Sequence, residues 1–77
     1  MLIKKSDIMK KIINILESEG YNYVVLPNGN IRITIMGNST DAPLIEDYLC
    51  SIIGHLVDDV EVFPDIDNSL IGLLTIY

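Results

Sequence analysis

Two spacings of apolar side chains alternate along this chain, twice in the same order. Ile8, Met9, Ile12, Ile13, Ile15 and Leu16 fall one, three and four residues apart, which gathers them on one stripe of a helix. Lys10, Lys11 and Asn14 take the wet side, Ser6 or Asp7 is placed to cap the start, and Gly20 to stop the helix after Glu19. Two short stretches with a period of two follow, residues 21–26 and 31–36, around Pro27-Asn28-Gly29-Asn30. The pattern then repeats. Asp41-Ala42-Pro43 opens a second helix whose stripe is Leu44, Ile45, Tyr48, Leu49, Ile52, Ile53 and Leu56, ending around residues 55–58. Residues 60–64 and 70–77 form a second strand pair around Asp65-Ile66-Asp67-Asn68-Ser69.

Helix–strand–strand, twice, predicts an α+β fold: a two-layer sandwich of αββαββ order, with a four-stranded, mainly antiparallel sheet and both helices on one face. The halves, 6–36 and 41–77, echo each other weakly. Val25-Leu26-Pro27 aligns with Val62-Phe63-Pro64, and Ile33-Thr34-Ile35 with Leu74-Thr75-Ile76.

The first hairpin admits two turns. A two-residue Asn28-Gly29 turn pairs Leu26 with Ile31. A three-residue loop puts Pro27 and Asn28 in a type I turn with Gly29 left-handed, and pairs Val25 with Ile31, Tyr23 with Ile33 and Tyr21 with Ile35. The second is preferred, because it collects the isoleucines with Tyr and Val on one face and uses the fixed φ of Pro27.

Seventy-seven residues make a single domain, residues 1–77, and a chain this short hides only about 60–65% of its unfolded surface. Cys50 is the only cysteine, so no disulfide closes within the chain and a reducing compartment fits. Met1-Leu2-Ile3 runs straight into Lys4-Lys5 without the apolar core of a signal peptide, and no apolar run approaches the ~20 residues of a membrane span. The expectation is a small, complete, cytoplasmic protein without membrane contact.

Charge divides the same halves. Residues 1–32 hold all five basic side chains, Lys4, Lys5, Lys10, Lys11 and Arg32, against Asp7, Glu17 and Glu19. Residues 33–77 hold eight acids and no Lys or Arg: Asp41, Glu46, Asp47, Asp58, Asp59, Glu61, Asp65 and Asp67. A one-signed field of this kind suits a basic protein groove, including one that normally holds nucleic acid. Four lysines against a net charge of −6 make a poor footprint for nucleic acid itself, so no direct nucleic-acid binding is expected.

Carrying the first hairpin's alternation into the second points Val60, Val62, Leu74 and Ile76 inward. Glu61, Phe63, Ile71, Leu73, Thr75 and Tyr77 then point outward, joined by Val24, Leu26 and Met36. Monomers rarely leave such an apolar face bare, and an uncharged last strand would aggregate as a free edge. Val24, Leu26, Met36, Phe63, Ile71, Leu73 and Tyr77 are therefore expected to meet another chain, a second copy first and a foreign partner as the alternative.

No motif names a reaction. His55, with Asp58 and Asp59 three and four residues on, reads as a helix-terminal cap rather than a general base or metal ligand. Cys50 reads as a small, partly buried side chain. The segment from Asp65 resembles the start of a calcium loop but has Leu70 where the glycine belongs and Ile76 where the glutamate belongs, so it reads as an acidic turn. No catalytic residue, metal or cofactor is expected. The leading expectation is a non-enzymatic acidic binding protein on a basic site of a nucleic-acid-handling partner. Its character is that of phage or mobile-element inhibitors of host nucleases or CRISPR effectors, without a shared motif. A homodimeric structural or regulatory module pairing through the open sheet face is the alternative.

Overall fold

A computed structural model describes residues 5–76 of the chain, with side chains from residue 7. The elements are α1 (Lys5–Ser18), β1 (Asn22–Val25), β2 (Ile31–Met36), a 3-10 turn (Ser39–Asp41), α2 (Ala42–Ile53), β3 (Asp59–Pro64) and β4 (Ser69–Thr75). This is the expected αββαββ order. The expected cap at Ser6 or Asp7 does not hold, because the helix already includes Lys5. Among the described residues no helix is long and apolar enough to cross a membrane.

Gly20 stops α1 through its left-handed φ of +79°. Its N–H donates to the Glu17 carbonyl at 3.1 Å and the Tyr21 N–H to the Leu16 carbonyl at 3.0 Å. This paired closure satisfies carbonyls that the helix end would otherwise leave open. Tyr21 is turned back against the core by the closure, so β1 starts one residue later than the alternation suggested and the Tyr21–Ile35 pair does not belong to the ladder.

The first hairpin adopts the three-residue loop. Gly29 sits at φ +90°, its N–H donates to the Leu26 carbonyl at 2.9 Å, and Val25 pairs with Ile31 and Tyr23 with Ile33. A type I turn followed by a left-handed residue needs this glycine, since a side chain there costs about 1–2 kcal/mol. The second hairpin turns through Asp67 at φ +55° and Asn68 at +57°. Asp and Asn tolerate the left-handed region better than other side-chain-bearing residues.

All four strands join one antiparallel sheet in the order β1-β2-β4-β3. The last strand is therefore no free edge. β4 lies between β2 and β3, and its uncharged sequence suits a strand with neighbours on both sides. Ile31, Ile33 and Ile35 of β2 and Leu70 and Leu74 of β4 are buried on one face. Ile12 and Leu16 of α1 and Leu49 and Ile53 of α2 pack onto them. Gly72 lies in the middle of that face, where a Cβ would meet Ile33, Ile35 and Leu49 at 3.6 to 3.8 Å, ordinary contact distances.

α2 ends at Ile53, where the Gly54 N–H closes onto the Cys50 carbonyl at 2.9 Å, earlier than its apolar stripe indicates. Leu56 and Val57 still pack inward, but from a turn.

Replacing Gly20 by Ala keeps every core contact and places a Cβ at positive φ. We expect a loss of about 1 kcal/mol in urea denaturation with an unchanged slope. A neutral result would show that the α1 terminus tolerates right-handed backbone.

Candidate protein-binding surface

β3 is an edge strand, and five of the eight acids of residues 33–77 lie on or beside it. Asp59 and Glu61 lie on the sheet face away from the helices, with Phe63 next in the row, and Asp65 continues it into the hairpin. All four are exposed, as are Asp58 before the strand and Asp67 at the tip. Same-face residues of a strand stand about 6.6–6.8 Å apart. Asp59, Glu61 and Asp65 thus form a row of carboxylates roughly 20 Å long with one aromatic ring within it.

The neighbouring row on β4 is Thr75, Leu73, Ile71 and Ser69, with Leu73 opposite Glu61 and Ile71 opposite Phe63. Ile71 and Leu73 are half-buried and Phe63 is exposed. On this side the apolar face matches the expectation. On the other side it stops, because β2 places Arg32 opposite Leu73 and Thr34 opposite Ile71, both exposed. Val24 lies beyond Arg32 on β1, Leu26 at the hairpin end of that edge, and Met36, 80% exposed, at the far end of β2. The expected set is thus split by polar side chains of a strand whose position the pattern of β4 could not reveal. Tyr77 lies outside the described residues.

The remaining acids point elsewhere. The Asp41 carboxylate accepts the Asn38 N–H at 2.9 Å and holds the turn into α2. Asp47 is exposed on α2. Glu46 accepts the Val62 N–H at 3.1 Å, reaching from α2 to the outer edge of β3. Asp65 donates its N–H to Ser69, so the odd-numbered residues of β3 bond to β4 and the Val62 N–H faces out of the sheet. Glu46 therefore closes an open edge donor. Pro64, two residues on, has no donor to leave open, a place where proline is tolerated in a sheet.

Three tyrosines hold their protons more tightly than usual. Tyr23 donates to Glu17 at 2.8 Å, and this bond, with some burial and the carboxylate's charge, raises its pKa. Tyr48 donates to Glu19, which raises its pKa in the same way and ties α2 to the end of α1. Burial, then the charge of Glu19, raises that of Tyr21. Glu17 and Glu19, at the end of α1, are thus engaged with tyrosines.

His55 is exposed and lies past the end of α2, so the helical spacing that would bring Asp58 and Asp59 beneath it does not exist. Among the described residues no three His, Cys, Asp or Glu side chains cluster as metal ligands, and no cavity is found. Cys50 is exposed rather than partly buried, on the side of α2 away from Leu49 and Ile53. Lys10 and Lys11 are exposed on α1; Lys4 lies outside the described residues, as does the Lys5 side chain.

Raised tyrosine pKa values stabilise the fold fully below about pH 10, where unfolded tyrosine starts to ionise, and that stability is lost as pH rises through the higher folded values. In Glu19→Gln, we expect the ultraviolet titration of tyrosine to begin at lower pH than in the wild type. An unchanged titration would contradict the Tyr48–Glu19 contact. Glu46→Ala should cost about 1 kcal/mol and speed hydrogen exchange at the Val62 amide, with Glu46→Gln retaining most of the protection.

Comparison of the chain with protein-family models, with curated proteins and with solved structures finds no match in any of the three.

Proposed function

We propose that this chain is a non-enzymatic binding protein that lays its acidic β3 margin into a basic site of a nucleic-acid-handling protein. The observation that carries the reading is the exposed row Asp59, Glu61 and Asp65, extended by Asp58 and Asp67, beside Phe63 and with no Lys or Arg anywhere in residues 33–77. Asp59 and Glu61 stand about 6.6–6.8 Å apart, twice the 3.4 Å rise per phosphate of one DNA strand, and Asp65 lies two such steps beyond Glu61, across Phe63. A groove built to follow a phosphate backbone offers cations at intervals such a row can meet. Phe63, with Ile71 and Leu73 behind it, supplies an apolar and aromatic surface where a nucleic acid would supply a base. An inhibitor of a nuclease or of an RNA-guided effector, of the kind phages and mobile elements carry, has this character.

Glu46 and Asp41 are not the binding acids in this reading, because their carboxylates hold Val62 and Asn38. Asp47 steers at most, from the helix side.

Host lysate passed over the immobilised chain at low and at high salt tests the proposal. The expected capture is of basic, nucleic-acid-binding proteins, released by salt and by added nucleic acid. It should weaken about tenfold or more in the triple variant Asp59→Asn, Glu61→Gln, Asp65→Asn, and remain in Asp47→Asn. Capture that ignores salt, or that the triple variant retains, overturns it.

A further inference from the structure

The two edges of the sheet are finished differently. At β3 the outward donor of Val62 is taken by Glu46, and Pro64 has none. At β1 nothing comparable is present among the described residues. Leu26 donates to the Asn30 carbonyl at 2.7 Å, so the hydrogen-bonded pairs of β1 with β2 are Leu26–Asn30, Val24–Arg32 and Asn22–Thr34. The N–H and C=O groups of Tyr23 and Val25 therefore point out of the sheet. Val24 and Val25 flank them on opposite faces, 51% and 46% exposed, and the strand Asn22-Tyr23-Val24-Val25 has no charge. Natural edges are usually guarded by charge, proline, a bulge or shortness, and this one has only its four-residue length.

We infer that two copies of this chain pair through β1, antiparallel about a two-fold axis at Val24, into one eight-stranded sheet. The geometry is self-complementary. With Val24 opposite Val24 of the second copy, Tyr23 falls opposite Val25 and Val25 opposite Tyr23. Both residues of each such pair present outward groups, so each pair exchanges two backbone hydrogen bonds. On the open face Val24 meets Val24 and Leu26 meets Asn22; on the helix face the exposed Val25 is covered beside Tyr23. A one-residue slip would set bonding groups against residues turned the other way, and a two-residue slip would set Val25 against Tyr21 or Tyr23 against Pro27, outside the strand, so the axis at Val24 makes the most bonds.

Charge favours a second copy as the occupant. A net charge of −6 opposes self-association wherever the acids meet. The sheet order β1-β2-β4-β3 holds the acidic β3 on the opposite edge. In the paired sheet the two β3 strands stand seven strand spacings apart, roughly 33 Å, well beyond the ~8 Å Debye length at physiological salt. Pairing at β1 keeps the acids of residues 33–77 apart, and the carboxylate beside this edge, that of Glu17, is engaged by the Tyr23 hydroxyl.

Light scattering of the whole chain, with two sets of variants, tests this. The wild type should have twice the mass of one chain. Val24→Lys, at a half-exposed position, should fold and run as a monomer, because it sets two cations face to face on the axis. Mixing Val24→Lys with Val24→Glu should restore the doubled mass as a heterodimer. Val24→Cys in a Cys50→Ser background should cross-link on oxidation, since Cα atoms of such a pair stand about 4.5 Å apart, within disulfide range. A monomeric wild type overturns the inference. So does a doubled mass that survives Val24→Lys, or one abolished by Phe63→Asp while Val24→Lys leaves it intact, since the open face would then be the contact.

Discussion

β4 carries the structure, because it and β2 are the strands with neighbours on both sides, and α2 crosses its middle. Leu70 and Leu74 are fully buried, and between them Gly72 lies under Leu49 of α2. Its ladder to β2 joins the two helix–hairpin halves, which are otherwise linked by the turn at Gly37–Asp41 and by the packing of α1 beside α2. With both halves contributing one central strand, neither can bury its apolar face alone, and 77 residues suffice for a single core.

That central position also separates the chemistry. It sends β3, with the acids of the second half, to one edge, and β1, with no charge, to the other. The sequence asymmetry between the first 32 residues and the rest becomes a spatial one between two sheet edges. On the acidic edge Glu46 takes the outward donor of Val62 and Pro64 has none, which leaves Val60 as the outward donor of that strand. The neutral edge keeps its backbone groups open.

What was legible in the chain was local. Gly20 marks the end of α1, Pro27-Asn28-Gly29 selects the three-residue hairpin, and alternation sorts the two faces of each strand, down to Val60, Leu74 and Ile76 on the buried side. What was not legible depends on which strands become neighbours. The β2–β4 pairing joins residues nearly forty positions apart and leaves no mark in either strand, so β4 read as an edge and Arg32 and Thr34 could not be seen to interrupt the apolar face. Glu46 likewise reads as one more helix acid, since its bond to Val62 spans 16 positions and two elements. The acids of 41–67, one class by sequence, divide in space into those that hold the fold and those that line a margin.

Hydrogen exchange, residue by residue along β4, distinguishes a central strand from an edge. A strand bonded on both sides protects successive amides alike, whereas an edge strand protects every second one. Uniformly slow exchange is expected from Leu70 through Thr75, with alternating protection in β3 broken only at Val62. Alternating exchange along β4 would contradict it, and with it the separation of the acidic edge from the neutral one.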